Sequence, residues 1–362
     1  MYATDSTDNL TLKNLREKAI KHLLASPFLC KNAPYGRNDA MLDVDILLSF
    51  LLKKTRAYVL AHLDEKALNI KENFDNLLEM RYYGTAIAYI IQEKEFFSLS
   101  FYVNRSVLIP KADTEILVEA SLETISALLC KNKLNERSSS ISYEKDTENI
   151  RNLNILDVFS GSGCVGIATV HSLLGKMKNT NRTCCIHCNF LDISSDAIAV
   201  SQINVAKLFP VVHISQQTIV QQDMPSSDMQ KTMLAPSIQT QFSFFCQDAR
   251  QSFPLDRGEN KYDCIMANPP YVPQNKTYEL LSDGRDEPHL ALDGGTDGFA
   301  FFASLAKNAH NALKEGGFLL CEVGDGQAEH VRQIFAQAGF ACVESYKDIS
   351  HTERVVKGKK NT

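Results

Sequence analysis

Apolar residues recur at helical spacing over residues 10–91, and beyond them the period changes. Leu12, Leu15, Ala19, Leu23 and Leu24 form one stripe, and Leu42, Ile46, Leu47, Phe50 and Leu51 form a second, which predicts helices joined by short loops. FFSLSFYVN, 96–104, sets a short polar turn between aromatic and β-branched residues and predicts a hairpin. It leads into VLIPKADTEILVEASL, where Asp113 or Thr114 can cap a helix running to about Cys130.

From residue 153 short apolar runs alternate with helical stretches. NILDV (154–158), CCIHCNFLDI (184–193), FSFFCQD (242–248), YDCIMA (262–267), GFLLCEV (317–323) and ACVESY (341–346) read as strands. Helices are predicted from about Val165 and Asp196, and another carries the stripe Phe302, Leu305, Ala309, Leu313. Such alternation predicts an α/β fold with a mostly parallel, doubly wound sheet. Two polar stretches interrupt it: 131–152, Ser-rich and read as a flexible connection, and 210–241, rich in Gln, Ser and Met and read as a mobile insertion.

Composition narrows the class without naming it. At 362 residues the chain has room for about two domains. A net charge of −5 supplies no global field toward nucleic acid, and the one dense basic run, Lys357-Gly358-Lys359-Lys360, is expected to be solvated. MYATDSTDNL does not read as a signal peptide, and no apolar run approaches the ~20 residues of a membrane helix, so a cytoplasmic protein is expected. Most of the ten cysteines sit in apolar runs, as Cys246 and Cys321 do, and are expected to be small buried hydrophobes. CCIHC, 184–188, invites a metal reading, but strand alternation sends Cys184 and Cys188 to one face and Cys185 and His187 to the other, so no metal site is expected.

The chemistry-bearing residues cluster at strand ends. DVFSGSGCVG, 157–166, places glycines at a strand-to-helix turn, where backbone N–H groups can approach a ligand. Gly161, Gly163 and Gly166 also match the dinucleotide spacing G-x-G-x-x-G, which keeps a nucleotide-dependent oxidoreductase open. Asp157 stands where a carboxylate can meet an amino group or ordered water. Asp192 ends the next strand, placed to accept both hydroxyls of a ribose, or else simply to cap a helix. Asp248-Ala249 ends a third strand, where an adenine edge would lie; TIVQQD with Asp223 competes for that position. After the fourth strand come Asn268, Pro269, Pro270 and Tyr271. The two rings fix φ and delete two N–H donors, leaving carbonyl oxygens. With the Asn268 side-chain carbonyl they make a two-acceptor clamp suited to an NH2 group, which Tyr271 would cover. The bland alternative is a stiff turn with a surface tyrosine.

The glycine loop after strand one, acid after strand two and NPPY after strand four together resemble a class I S-adenosylmethionine-dependent methyltransferase. RSVLIPKADTE (105–115), DEPHLALDGG (286–295) and HTERVVKGK (351–359), with the helical segment in front, are similar to the HemK/PrmC family of protein glutamine-N5 methyltransferases. That resemblance implies a Rossmann-like sheet of seven strands and transfer of a methyl group to the Gly-Gly-Gln glutamine of peptide chain release factors. It implies residues 1–92 as a small helical domain that helps hold the release factor, 93–112 as a β-hairpin linker and 113–362 as the methyltransferase domain. It also implies Phe159, Ser160, Gly161, Ser162 and Gly163 along the methionine part of S-adenosylmethionine, Asp192 on its ribose, and Asp248 and Ala249 on its adenine. Asn268 to Tyr271 would take the substrate glutamine, with Asn268 and Pro269 catalytic and Asn268 also beside the cofactor. Lys111-Ala112 stands where the family has Arg-Pro, and Ser160 where it more often has Thr. A monomer is expected, with no nucleic-acid or membrane partner. The rivals are a DNA or RNA amino-methyltransferase using the same clamp, and a non-catalytic subunit that keeps the fold.

Overall fold

The computed structural model describes residues 10–29, 34–136, 151–177, 184–210, 239–254, 261–281 and 286–361. Helices α1 (Leu12–Leu24), α2 (Arg37–Leu52), α3 (Arg56–Ala61), α4 (Lys71–Tyr82) and α5 (Ile87–Ile91) come first. Thr11 and Thr55 cap α1 and α3, each accepting a backbone N–H three residues on. Leu12, Leu15, Ala19 and Leu23 are buried as their spacing predicts.

Helix α2 departs from the expected stripe. Leu42 and Phe50 are 42% and 45% exposed, and the buried side is Ala40, Val44, Leu47 and Leu48 with Asp43 and Asp45 among them. Charge pairing explains the rotation. Arg16 of α1 makes two hydrogen bonds to Asp45, while Arg81 of α4 and the Tyr35 hydroxyl donate to Asp43 Oδ2 at 2.6 and 2.7 Å. A buried carboxylate is tolerated only when paired in this way.

The described residues up to Glu93, together with Val103–Arg105 and Asn275–His289, make one compact unit; Lys94–Tyr102, Ser106–Gln274 and the residues from Leu290 on make the second.

The second unit starts with the hairpin β1 (Glu93–Phe96) and β2 (Leu99–Tyr102), whose turn residues Phe97 and Ser98 have φ of 49° and 59°, matching the right-handed twist of the strands. A 3-10 turn at Ala112–Thr114 leads into α6 (Glu115–Glu136), which extends past the expected end at Cys130 into the stretch read as a connection. Then follow β3 (Arg151–Val158), α7 (Cys164–Met177), β4 (Cys184–Asp192), α8 (Ser195–Leu208), β5 (Gln239–Cys246), β6 (Tyr262–Ala267), α9 (Gln274–Leu281), which from Asn275 on belongs to the first unit, α10 (Phe302–Ala312), β7 (Leu313–Glu322), α11 (Ala328–Gln337), β8 (Phe340–Lys347) and β9 (Glu353–Lys360). The expected strands are present, and the third is 239–246, so Asp248 follows it; Asp223 and most of the 210–241 insertion lie outside the described residues.

The seven strands lie in the order β5-β4-β3-β6-β7-β9-β8, all parallel except β9, which runs antiparallel to both neighbours. Alternate residues feed two cores. Ile155, Cys188, Phe190, Met266 and Leu320 pack with Leu117, Ile125, Ile167 and Val170 on one face. Leu156, Val158, Leu191, Ile265 and Leu319 pack with Leu305, Ala309, Val331 and Phe335 on the other. Both faces are therefore covered, as a parallel sheet requires.

Two expectations fail here. The lysine-rich tail is an interior strand: Lys357 reaches Glu344 and the Tyr346 hydroxyl, and Lys360 donates to the carbonyls of His310 and Leu313 at 2.6 and 3.0 Å. Its cationic heads leave the sheet on flexible stems, so the backbone can sit between β7 and β8. Cys246 is exposed because it ends the edge strand β5, whereas Cys321 is buried on the interior strand β7.

Candidate active site

The central pairing of the sheet brings the glycine loop and the NPPY segment together. Val158 is in register with Leu191 on one side and Ala267 on the other, so Phe159 to Gly163 leave the sheet between Asp192 and Asn268. Adjacent strands are about 4.8 Å apart, which makes these exits neighbours.

The loop needs unusual backbone. Phe159, Gly161 and Gly163 have φ of 59°, 53° and 75°. A left-handed phenylalanine is costly, and its ring packs edge-on against Phe301 at 5.5 Å. The glycines differ in what they face. A Cβ at Gly166 would stand 2.7 Å from Phe190 and 3.0 Å from Asp157 Oδ2, so close helix packing requires glycine there. A Cβ at Gly161 would meet nothing within 4 Å. Gly161 therefore borders open space at the head of α7.

Hydrogen bonds hold the loop open. Gly161 N donates to Asp192 Oδ2 at 2.9 Å, Ser160 N donates to the Leu191 carbonyl, and Ser201 Oγ donates to the Gly161 carbonyl at 2.8 Å. Asn204 of α8 donates to the carbonyls of Ser162 and Tyr102 at 2.9 and 3.0 Å, tying loop and hairpin to one side chain. Ser160 Oγ is buried and has no partner among the described residues. An open glycine and an orphaned hydroxyl are features of a ligand cradle before its ligand arrives.

The acids behave differently from one another. Asp157 is 2% exposed and its Oδ2 accepts Gly166 N at 2.8 Å, which anchors α7. Burial, with the charge of Asp192 adding to it, pushes its pKa up to about 8. Asp192 is raised by burial against the pull of the N–H groups of Ser194, Gly161 and Ile193. Its Oδ1 takes Ser194 N at 2.9 Å and its Oδ2 takes Gly161, and each oxygen keeps a second lone pair for a hydroxyl. Capping of α8 falls instead to Ser194, whose Oγ accepts Ala197 N. Asp248 is gripped by Arg250 through both oxygens, which lowers its pKa, and Ala249 is buried beside it. Any ligand contact to Asp248 would share the carboxylate with Arg250.

Beyond β6 the NPPY segment is buttressed from behind. Gly294 lies so close that a Cβ would stand 2.9 Å from the Pro270 carbonyl and 2.8 Å from Tyr271 Cα. Val272 exchanges backbone hydrogen bonds with Leu292 and Gly294, and Gln327 Nε2 donates to the Tyr271 carbonyl at 3.0 Å. Tyr271 is no surface side chain; its ring packs against the core and its hydroxyl donates to Glu322 Oε1 at 3.1 Å. Asn268 Nδ2 donates to Thr114 Oγ1 at 3.3 Å, which leaves Oδ1 to accept.

The segments carrying the family resemblance thus converge. Asp113 pairs with Arg354 of β9, Thr114 meets Asn268, and Glu115 Oε1 accepts Phe97 N of the hairpin turn. The side chains of Asp113 and Thr114, read as helix caps, are committed to these contacts. Sequence reasoning missed Thr114, Glu322, Gln327 and Arg354 as parts of the site. Glu322 had a usable signal, an acid closing the apolar run GFLLCE at the same sheet edge as Asp192.

No family model matches the chain. It is 33% identical over 321 residues to a release factor glutamine methyltransferase of Clostridium acetobutylicum, covering 87% of this chain and 90% of that protein. It is also 33% identical over 323 residues to a bifunctional methyltransferase of Rickettsia typhi, spanning 89% of this chain and 54% of the other. A solved release factor-specific protein-(glutamine-N5) methyltransferase from Alicyclobacillus acidocaldarius covers 72% of the chain at 19% identity and TM-score 0.34, a likeness that adds nothing to these.

Proposed function

The chain belongs to the release factor glutamine methyltransferase family, and from that premise we propose that it methylates the side-chain nitrogen of the Gly-Gly-Gln glutamine in peptide chain release factors. The observation that carries the reading is the adjacent exit of an open glycine loop and the NPPY segment from the paired strands β3 and β6. When bound, S-adenosylmethionine supplies an electrophilic methyl group. Phe159 to Gly163 would hold its methionine part, Asp192 its ribose, and the segment at Asp248 and Ala249 its adenine.

The difficulty lies in the nucleophile. Conjugation strong enough to give an amide a rotation barrier of ~18–20 kcal/mol ties up the nitrogen lone pair. Asn268 Oδ1 and the Pro269 carbonyl would accept one N–H each and orient the carboxamide. As positive charge grows on nitrogen, both oxygens stabilise it more than they did the neutral amide, which is where rate is gained. Fixing nitrogen and methyl in line supplies much of the rest. No general base is needed before transfer, because alkylation itself makes the nitrogen acidic. Tyr271, held by Glu322 and Gln327, would form a wall of the pocket rather than a flexible cover.

The first unit would help hold the protein substrate, and Leu42 and Phe50 on α2 are apolar surface it offers. Among the described residues no helix is long and apolar enough to cross a membrane. Action on release factors would place the enzyme in the cytoplasm.

The test is incubation with methyl-labelled S-adenosylmethionine and a purified release factor, followed by peptide mapping. Label on the Gly-Gly-Gln glutamine is expected; label on nucleic acid alone would replace this substrate with a base amino group.

A further inference from the structure

Glu322 ends β7 at the same edge of the sheet as Asn268, and the role given to it above is only to hold the Tyr271 hydroxyl. It is 2% exposed. Tyr271 donates to its Oε1 at 3.1 Å, the Thr114 hydroxyl faces the same carboxyl and lowers its pKa, and Oε2 has no partner among the described residues. Thr114 is itself 2% exposed and receives Asn268 Nδ2 at 3.3 Å. A chain of three side chains therefore runs from a buried acid to the clamp.

The direction of that chain follows from proton counting. A carboxylate can only accept, so the single hydroxyl proton of Thr114 goes to Glu322. The Thr114 oxygen must then accept from its other neighbour. Of the two ends of the Asn268 carboxamide only Nδ2 can give, so Nδ2 turns toward Thr114 and Oδ1 turns away. Tyr271 is polarised in the same way. We propose that Glu322 is a positioning residue, which sets the polarity of the Glu322–Thr114–Asn268 chain and so keeps Asn268 Oδ1 facing out as the acceptor for the substrate carboxamide. The inference rests on the methyl-transfer reading above.

The surroundings resist ionisation of this anchor, so the assay pH must lie above its raised pKa. Burial pushes Glu322 up to about 7, against the hydrogen bonds from Thr114 and Tyr271; Asp113 adds to the rise and Arg354 opposes it. At pH 8.5 the carboxylate predominates. A glutamine in its place has nearly the same shape but carries an NH2 donor. It can give a proton to Thr114, whose own proton is then free to point at Asn268, and the carboxamide flips.

The experiment compares wild type with E322Q, T114V, T114S and the E322Q/T114V double variant at pH 8.5. In E322Q and T114V kcat should fall about 10–100-fold, with cofactor Kd and the urea midpoint close to wild type, while T114S restores most of the rate. Losses in the double variant should equal those of one single variant, because both break one chain. An independent readout is solvent exchange of the Asn268 side-chain NH2 by NMR, assigned by its loss in N268D: at least tenfold faster in E322Q and T114V than in wild type and T114S. Wild-type kcat and exchange in E322Q, or single losses that multiply in the double variant, would overturn the proposal. A wild type that transfers no methyl to glutamine defeats the parent reading instead, and the exchange rates still decide the polarity of the chain.

Discussion

Replacing Asp157 by Asn should make the protein less sensitive to rising pH, and the size of the effect can be worked out. Asp157 is fully enclosed beneath the glycine loop, and burial lifts its pKa from 3.8 to about 8. Between those values the folded chain holds a proton on this group that the unfolded chain has released. Stability therefore falls as pH rises through the window, by ~1.4 kcal/mol per pH unit, and levels off above about 8. From pH 5.5 to 7.5 the loss is about 2.5 kcal/mol after allowing for the fraction already ionised near the top. Asn keeps the shape and an oxygen to accept Gly166 N, but it has no proton to lose. Titrating groups that do not couple to Asp157, Glu322 included, are common to both proteins and cancel in the difference. Urea unfolding of wild type and D157N at several pH values and constant ionic strength should thus show the variant gaining about 2.5 kcal/mol on wild type across that range. Parallel stability curves would mean that Asp157 ionises normally, and the account of it as a buried neutral anchor for α7 would be wrong.

Asp192→Ala should weaken S-adenosylmethionine binding at least tenfold by calorimetry, at about 1.4 kcal/mol per factor of ten; unchanged affinity would remove Asp192 from the ribose. Asn268→Ala should leave cofactor affinity near wild type and lower kcat by about 10²–10³, as loss of one preorganised polar contact does elsewhere, and unchanged turnover would revive the non-catalytic reading. Gly166→Ala forces a methyl group to within 2.7 Å of Phe190, so unfolding should become easier by about 1–3 kcal/mol. A urea midpoint equal to wild type would show that the loop and α7 can move apart.

The order of elements was legible because a fully covered parallel sheet writes its strands as short apolar runs ending in turn residues, as in NILDV and YDCIMA. The positions of Asp192 and Asn268 were legible for a related reason, since polar residues directly after such runs fall on the carboxyl edge. What sequence hid was pairing at a distance. Asp43 and Asp45 look like a solvated face until Arg16 and Arg81 arrive from other helices. Lys357 and Lys360 look like a free tail until Tyr346 and the carbonyls at the end of α10 receive them. Glu322 reads as the last letter of a strand, and only folding shows Thr114 and Tyr271 against it.

Strand β9 threads between β7 and β8 although it follows both in the chain, and among the described residues β8 has no other strand beside it. It also brings Arg354 to Asp113 and its carbonyl to Val323 N, next to Glu322. The outer flank of β7 is thus closed by a strand that comes after β8 in the chain, so a lesion in β9 would loosen both β7, which ends at Glu322, and β8, while leaving the pairing of β3 with β4 and β6 in place.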